Sequence, residues 1–461
     1  MRLFFLLFLS AWLLTACQPQ PEKKLPDTAF IQKIFDESLN SGQAFAVLRH
    51  LCKEIGPRLS GSPQSYEAIA FGDSLFRSLG LDTVMLQPCM VRYWKRGPKE
   101  SASVIGSDSL GTFPLRIAAL GGSVATPAGG IRAPLIEVKD FDALEKMGRD
   151  SVQGKIVFFN RSMQSNLLET FRAYGGAVAQ RSQGASVAAK YGAAAALVRS
   201  MTLAKDAYPH TGAMVYDTAY PKIPAAALST LDAELLSALI RKEGEVTVRF
   251  QQQCEIRPDT LSYNVVGEWR GKTQPDNILL VGGHLDSWDL AEGAHDDGTG
   301  VAQAYEALRL LKKLGYTPNH TLRVVWFMNE ENGLGGAKAY ADSALSQKKK
   351  HVVAIESDAG GFTPRGFSIS ANPEQLAVFR TWQPLLAPFG FVEFNEGGGG
   401  SDIAPLGKQG AALVGYLPDS QRYFDYHHAA TDVLEAVNER ELQLGAAGIA
   451  ALIYLLDQYG L

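Results

Sequence analysis

Histidine and carboxylate side chains recur in this chain in an order that suits a pair of metal ions. His284 stands in Gly282-Gly283-His284-Leu285-Asp286-Ser287, and Asp296-Asp297-Gly298 begins twelve residues after it. Glu330 and Glu331 follow in Asn329-Glu330-Glu331-Asn332, Asp358 in Glu356-Ser357-Asp358, and His428 in His427-His428-Ala429-Ala430-Thr431-Asp432. Nitrogen and carboxylate-oxygen donors, with no cysteine among them, suit zinc in a catalytic and partly open site. Together they read as the set of a di-zinc hydrolase, in which two ions about 3.5–4 Å apart share one water or hydroxide. Taken singly, each has an ordinary reading as a capping acid or a hydrogen-bonded histidine. That ordinary reading is kept for His50, His210, His295, His320 and His351.

The elements that must position this set are short apolar runs, each followed by a candidate ligand group. Asn277 to Val281 precedes His284, Leu322 to Met328 precedes the glutamate pair, Val352 to Ile355 precedes Asp358, and Ala411 to Tyr416 leads toward His427-His428. Such runs read as buried parallel strands. Ligands of an open α/β sheet bind outside the carboxyl ends of its strands, so these residues are expected to converge on one rim. Helices are expected from Val301 to Leu314 and from about Glu441 to Tyr459. Asp297 is expected to support the turn and cap the helix starting near Thr299. A second feature near the rim is Glu396-Gly397-Gly398-Gly399-Gly400-Ser401-Asp402, whose glycines permit close backbone approach beside a substrate or, equally, a flexible surface turn. It lacks the lysine and the spacing of a phosphate-binding loop.

The 461 residues are 46% hydrophobic with a formal net charge of −4, enough for two cores and without the basic excess of a nucleic-acid partner. Residues 1–17 have Arg2, an apolar stretch from Leu3 to Leu14, and Leu14-Thr15-Ala16-Cys17, which resembles a bacterial lipoprotein signal with its lipobox. The expectation is a lipid on Cys17, a polar tether over 18–27, and a place on a membrane of the bacterial cell envelope, facing the periplasm or the outside. An ordinary signal peptide with a chance cysteine is the alternative. Cys52, Cys89 and Cys254 are read as buried structural thiols, since none stands in a CxxC or at metal-ligand spacing.

Patterning divides the rest. Residues 28–109 read as amphipathic helices from Phe30 to Leu79 and an extended stretch from Leu81 to Tyr93, forming the N-terminal part of the metal-bearing domain. Residues 110–256 change character: strand-like runs such as Lys155 to Phe159 alternate with a small-residue helix from Ala185 to Ala195, as in an insertion. Residues 257–461 carry the strand and helix alternation of the catalytic part. The fold expected is α/β, a mixed and mostly parallel sheet flanked by helices, with an inserted β-rich domain.

Over nearly the whole mature length the motifs resemble the co-catalytic zinc peptidases that include aminopeptidase Y and plasma glutamate carboxypeptidase, also called carboxypeptidase Q. The middle segment looks like a protease-associated domain, with Tyr208-Pro209-His210-Thr211-Gly212 and Pro221-Lys222-Ile223-Pro224 similar to that subfamily's insertion, and Ile55 to Ser62 similar to its early segment. The resemblance implies two Zn2+ per chain, with Asp296 bridging, His284 and Asp358 completing one site, and Glu331 and His428 the other. It favours His428 over His427, because the matching histidine stands four residues before an aspartate, here Asp432. It also implies small unblocked peptides, especially dipeptides, as substrates, and suggests a homodimer.

Glu330 is the candidate general base and acid, since adjacent glutamates divide their roles between coordination and proton transfer. Asp286 is placed to orient His284, because ligating histidines give their other N–H to a carboxylate or a carbonyl. Ser401, Asp402 and Tyr426 are candidate substrate contacts, with Arg422 and Tyr423 as weaker ones for a peptide terminus. The resulting expectation is a lipid-anchored zinc exopeptidase or dipeptidase using a bridging hydroxide and Glu330. A glutaminyl cyclase of the same fold, or a non-catalytic binding ectodomain, are the rival readings.

Overall fold

A computed structural model describes residues 28–461; Cys17, the signal segment and the tether lie outside the described residues. The first of two eight-stranded sheets runs in the spatial order Thr83–Lys95, Glu255–Trp269, His320–Phe327, Gln274–His284, Lys350–Glu356, Ala412–Pro418, Pro364–Ser370, Glu393–Glu396. The four strands from His320–Phe327 to Ala412–Pro418 are mutually parallel.

These strands form where apolar residues alternate between two cores. In Gln274–His284, Leu279 and Val281 enter one core while Ile278 and Leu280 enter the other; in His320–Phe327, Val324 and Trp326 pair with the first and Val325 and Phe327 with the second. Burial on both faces is what makes the runs continuous rather than half polar. The helices Thr299–Lys313 and Glu439–Tyr459 fill the first core, and Gly335–Ser346 contributes Tyr340, Ala341 and Ala344 to the second. The N-terminal helices pack on the same first core. Trp326 joins them to the sheet: its Nε1 donates to Val301 O at 2.9 Å, and its ring stands edge-on to Phe76 of helix Pro63–Ser78 at 5.0 Å.

Asp457 ties the last helix to the start of a central strand. Its carboxylate accepts from Asn319 N–H at 2.8 Å, His320 N–H at 2.7 Å, His320 Nδ1 at 2.9 Å and Tyr316 Oη at 2.5 Å. Burial acts to raise its pKa, but these donors outweigh it and hold the carboxyl below its ordinary 3.8. A group depressed in the folded state stabilises above its unfolded pKa and ceases to as pH falls through the folded value. Asp457→Asn is therefore expected to cost about 1.5–3 kcal/mol in urea unfolding at pH 7. Its deficit relative to wild type should shrink as pH is taken below about 4; a deficit independent of pH down to 3 would contradict this.

The strands Thr83–Lys95 and Glu255–Trp269 pair antiparallel along most of their length, from Thr83↔Glu268 to Lys95↔Glu255. This two-stranded ribbon carries everything between them. The second sheet, in the order Gly111–Leu115, Ser101–Ser107, Val246–Gln251, Ile131–Val138, Ile156–Phe159, Ala195–Arg199, Ala225–Leu228, Ile117–Ala119, has its own cores on both faces. It takes in Ser101–Ser107, ahead of the boundary expected at residue 110. That strand buries only Ala102, Val104 and Ser107, a weak alternation to read locally. Cys52, Cys89 and Cys254 are buried free thiols, each pushed up to about 12 by burial. Among the described residues no helix is long and apolar enough to cross a membrane.

Candidate metal centre

Parallel strands deliver the sequence-selected residues to one rim. His284 is the last residue of its strand, Glu330 and Glu331 stand just beyond Phe327, Asp358 just beyond Glu356, and His428 on the loop after Ala412–Pro418. Asp296 comes from the loop that returns toward Thr299–Lys313, and the Asp296–Asp297 peptide is cis. Asp296 lies between two groups. Its Oδ1 is 3.2 Å from His284 Nε2, which is also 3.4 Å from Asp358 Oδ1. Its Oδ2 is 3.2 Å from His428 Nε2, which is also 3.2 Å from Glu331 Oε2.

The donor set fits zinc. Two ligand atoms each about 2.0–2.1 Å from a tetrahedral ion lie about 3.3 Å apart, which is the spacing of all four pairs. His284 Nε2, Asp296 Oδ2 and Glu331 Oε1 are buried without a hydrogen-bond partner, an arrangement that is costly unless the atoms hold something. Clusters able to hold an ion are His284, Asp296 and Asp358, and Asp296 with His427 and His428. His427 Nε2 is 3.8 Å from Asp296 Oδ2, farther than His428, and its ring stacks on His428 at 3.5 Å.

Electrostatics show the same crowding. Burial, with the Asp296 charge added, raises Glu331 to about 8, and burial raises Asp358 to about 6. Burial would lower both histidines, yet the carboxylates around them raise His284 well above its usual value and His428 to about 10. Against burial, the imidazoles of His284 and His428 beside it pull Asp296 well below the carboxylate range. Several acids and two imidazoles thus share one small buried space, the setting in which a divalent cation binds and displaces protons.

The residues behind the ligands fix their aim. His284 Nδ1 donates to the main-chain carbonyl of Asp286 at 2.9 Å, while the Asp286 carboxylate is 3.9 Å away. That carboxylate instead accepts from the N–H groups of Asn329 at 2.7 Å and Glu330 at 3.1 Å, setting the turn that presents both glutamates. Asp297 accepts from His284 N–H and, at the helix start, from Gly300 N–H, both at 3.0 Å. Asp432 accepts from His295 N–H and Asp296 N–H. Arg58, fully buried, donates to the carbonyls of Leu285, Glu292 and Gly293 at 2.6–3.0 Å and so clamps the loop between His284 and Asp296.

Residues 264–453 match Peptidase family M28. Carboxypeptidase Q of Homo sapiens is 34% identical over 414 residues, covering 90% of this chain and 85% of that protein. The chain belongs to peptidase family M28. The crystal structure of a Peptidase M28 precursor from Shewanella amazonensis has a TM-score of 0.89 at 33% identity, covering 94% of this chain and 97% of that one. A zinc aminopeptidase from Bacillus subtilis shares the fold, with a TM-score of 0.64 at 21% identity over 89% of this chain and 94% of its own. The α/β fold and the zinc metallo-exopeptidase class expected from the sequence stand with M28 membership.

Around the M28 centre the expected substrate contacts divide. Ser401 is exposed, but Asp402 is only 1% exposed, beneath the rim. The N–H groups of Asp402 and Ile403 donate to Glu356 Oε2 at 3.0 and 2.9 Å, and a side chain at Gly400 would overlap the Glu356 carboxyl. The glycines therefore fasten the loop down onto Glu356. Burial, then the Glu356 charge, raises Asp402 well above the carboxylate range. Tyr426 is half-buried against Phe362 and His295, Tyr423 is buried, and Arg422 is exposed with its guanidinium over Phe362 and an ion pair to Glu441.

Three further neighbours of the centre stand outside the candidate set. Trp288 lines a cavity with Asp296, Glu331 and His428. Arg181 and Thr211, both from the segment between the ribbon strands, reach His428 itself.

Proposed function

We propose that this M28 chain removes residues from the ends of short peptides, as an exopeptidase or dipeptidase, with two zinc ions at the rim and Glu330 as the proton-transfer group. The observation that carries this reading is Asp296, whose two oxygens each face a separate histidine that in turn faces a second carboxylate. When bound, zinc polarises the scissile carbonyl and acidifies the attacking water. Glu330 accepts the proton and passes it to the departing amine. Its main chain is held by Asp286, and its charge adds to the burial that raises Asp286, Asp358, Glu356 and Asp402. We assign His284, Asp296 and Asp358 to one ion and Asp296, Glu331 and His428 to the other.

Substrate contact is assigned to Ser401 and Tyr426, with Asp402 supporting the loop from beneath. The carboxypeptidase Q resemblance directs the reading to small unblocked peptides, dipeptides above all, and to a homodimer; the segment on the ribbon is assigned as a protease-associated domain. The lipobox ending in Cys17 gives the enzyme a lipid anchor on the cell envelope.

A panel of free, N-blocked and C-blocked dipeptides and tripeptides, followed by mass spectrometry with chelation and zinc restoration, tests the reading. Zinc-restorable cleavage of free dipeptides is the expected result, and the blocked-end pattern identifies the terminus read. Ammonia release from glutaminyl peptides without hydrolysis would replace the peptidase reading with a cyclase.

A further inference from the structure

We propose that the inserted segment is part of the metal centre: its loop Pro209 to Gly212 clamps His428 in the geometry that lets Nε2 serve as a ligand, so the affinity of the Glu331–His428 position depends on the docking of that loop. The inference rests on the two-zinc reading above.

His428 has φ +63°, a left-handed backbone that a residue with a side chain adopts only when its surroundings hold it there. The holding groups come from across the chain. Thr211 N–H donates to His428 O at 3.0 Å, and His428 Nδ1 faces Thr211 O at 3.2 Å. One residue earlier, His210 Nδ1 lies 2.7 Å from His427 O. A carbonyl oxygen only accepts, so each of these contacts favours a proton on Nδ1, and the neutral form of His428 then presents its Nε2 lone pair toward Asp296 and Glu331. Arg181 Nη2 donates to Tyr174 Oη at 2.7 Å, and its Nη1 stands 3.3 Å from His428 Nδ1, so Arg181 and Thr211 O compete for that nitrogen, with the carbonyl the closer at 3.2 Å. A bond from Arg181 to a bare Nδ1 would turn Nε2 into a proton donor and remove the ligand.

Close approach is possible because residue 212 is glycine. It has φ +136°, and a Cβ there would lie 2.7 Å from His428 Nδ1 and would also overlap Arg181 Nη1. The loop is not free to move aside. Thr211 Oγ1 donates to Ala119 O at 2.7 Å, His210 N–H donates to Ser200 Oγ at 2.8 Å, and Gly121 N–H donates to Gly212 O at 3.0 Å, all within the inserted segment. His210 and Thr211 are 2% and 0% exposed, so these bonds are shielded from water. By contrast, the Nδ1 partner of His284 is Asp286 on its own loop, which gives the other position no such dependence.

The test is zinc titration of the metal-stripped full chain against a chromophoric chelator, for wild type, Gly212→Ala, His210→Phe and His428→Ala. Folding is checked by circular dichroism. In Gly212→Ala one zinc should bind with wild-type affinity and the other about 10–100-fold more weakly, the range typical of lost support around a metal ligand. His210→Phe keeps a flat aromatic ring, somewhat larger, loses one bond, and should weaken the same position by less. Adding Gly212→Ala to His428→Ala should leave the remaining position unchanged. Two zinc ions bound by both folded variants as in wild type, or an equal loss at both positions, would overturn the clamp. Should Gly212→Ala fail to fold, His210→Phe alone decides between these outcomes. Wild type binding fewer than two zinc ions would instead remove the two-zinc reading itself.

Discussion

Glu330→Gln is expected to lower kcat on a free dipeptide by about 10²–10⁴-fold while leaving both zinc ions bound, since a positioned base contributes that range. The substitution is nearly isosteric and removes only the ability to take a proton. Glu330 is absent from the His–carboxylate contacts around Asp296, where its neighbour Glu331 faces His428. The main-chain bond from Glu330 to Asp286 does not depend on the side chain. The loss should therefore fall on kcat, with KM little changed, because an interaction made only in the transition state is removed. Glu331→Gln should differ by losing zinc as well as turnover. Parallel kinetics and metal analysis of the two variants check this, and a Glu330→Gln enzyme at wild-type rate would reject the assignment.

Asp296→Asn is expected to reduce bound zinc from two ions to one or fewer and to abolish measurable turnover. An amide presents one oxygen where the carboxylate presents two, so whichever way it is turned, an N–H2 faces either His284 and Asp358 or His428 and Glu331. One half would then have a donor where a ligand is required, and the negative charge shared between the two halves is gone. The loss in affinity should exceed the 10–100-fold typical of a residue that merely supports a ligand. Equilibrium dialysis with zinc quantification measures it. An Asp296→Asn protein holding two ions would show that Asp296 does not bridge.

The rim was legible in the sequence because three of the candidate ligand groups directly follow apolar strand runs. The rule that parallel strands present their carboxyl ends together brings His284, the glutamate pair and Asp358 to one rim, while the choice of Glu331 as a ligand rests on the family resemblance. The N-terminal helices and the ribbon strand Thr83–Lys95 were legible from periodicity. Contacts between distant segments were not. Nothing near Arg58 says that its guanidinium will hold three carbonyls of residues 285–293, and nothing near Arg181 or Thr211 points to residue 428. The loop from Gly397 to Asp402 reads locally as flexible, since glycine permits many conformations. In the fold, the same lack of side chains lets it close over the Glu356 carboxyl, burying Asp402. His210 shows the converse: an ordinary hydrogen-bonded histidine was expected, and it is one, but its bond reaches the neighbour of a proposed ligand.

Two zinc ions held at this rim would each take one oxygen of Asp296. Diffraction from crystals of the zinc-restored protein, collected on either side of the zinc absorption edge, tests it most directly. Two anomalous peaks are expected, one among His284, Asp296 and Asp358 and one among Asp296, Glu331 and His428. A single peak, or a second ion held by His427 in place of His428, would contradict it.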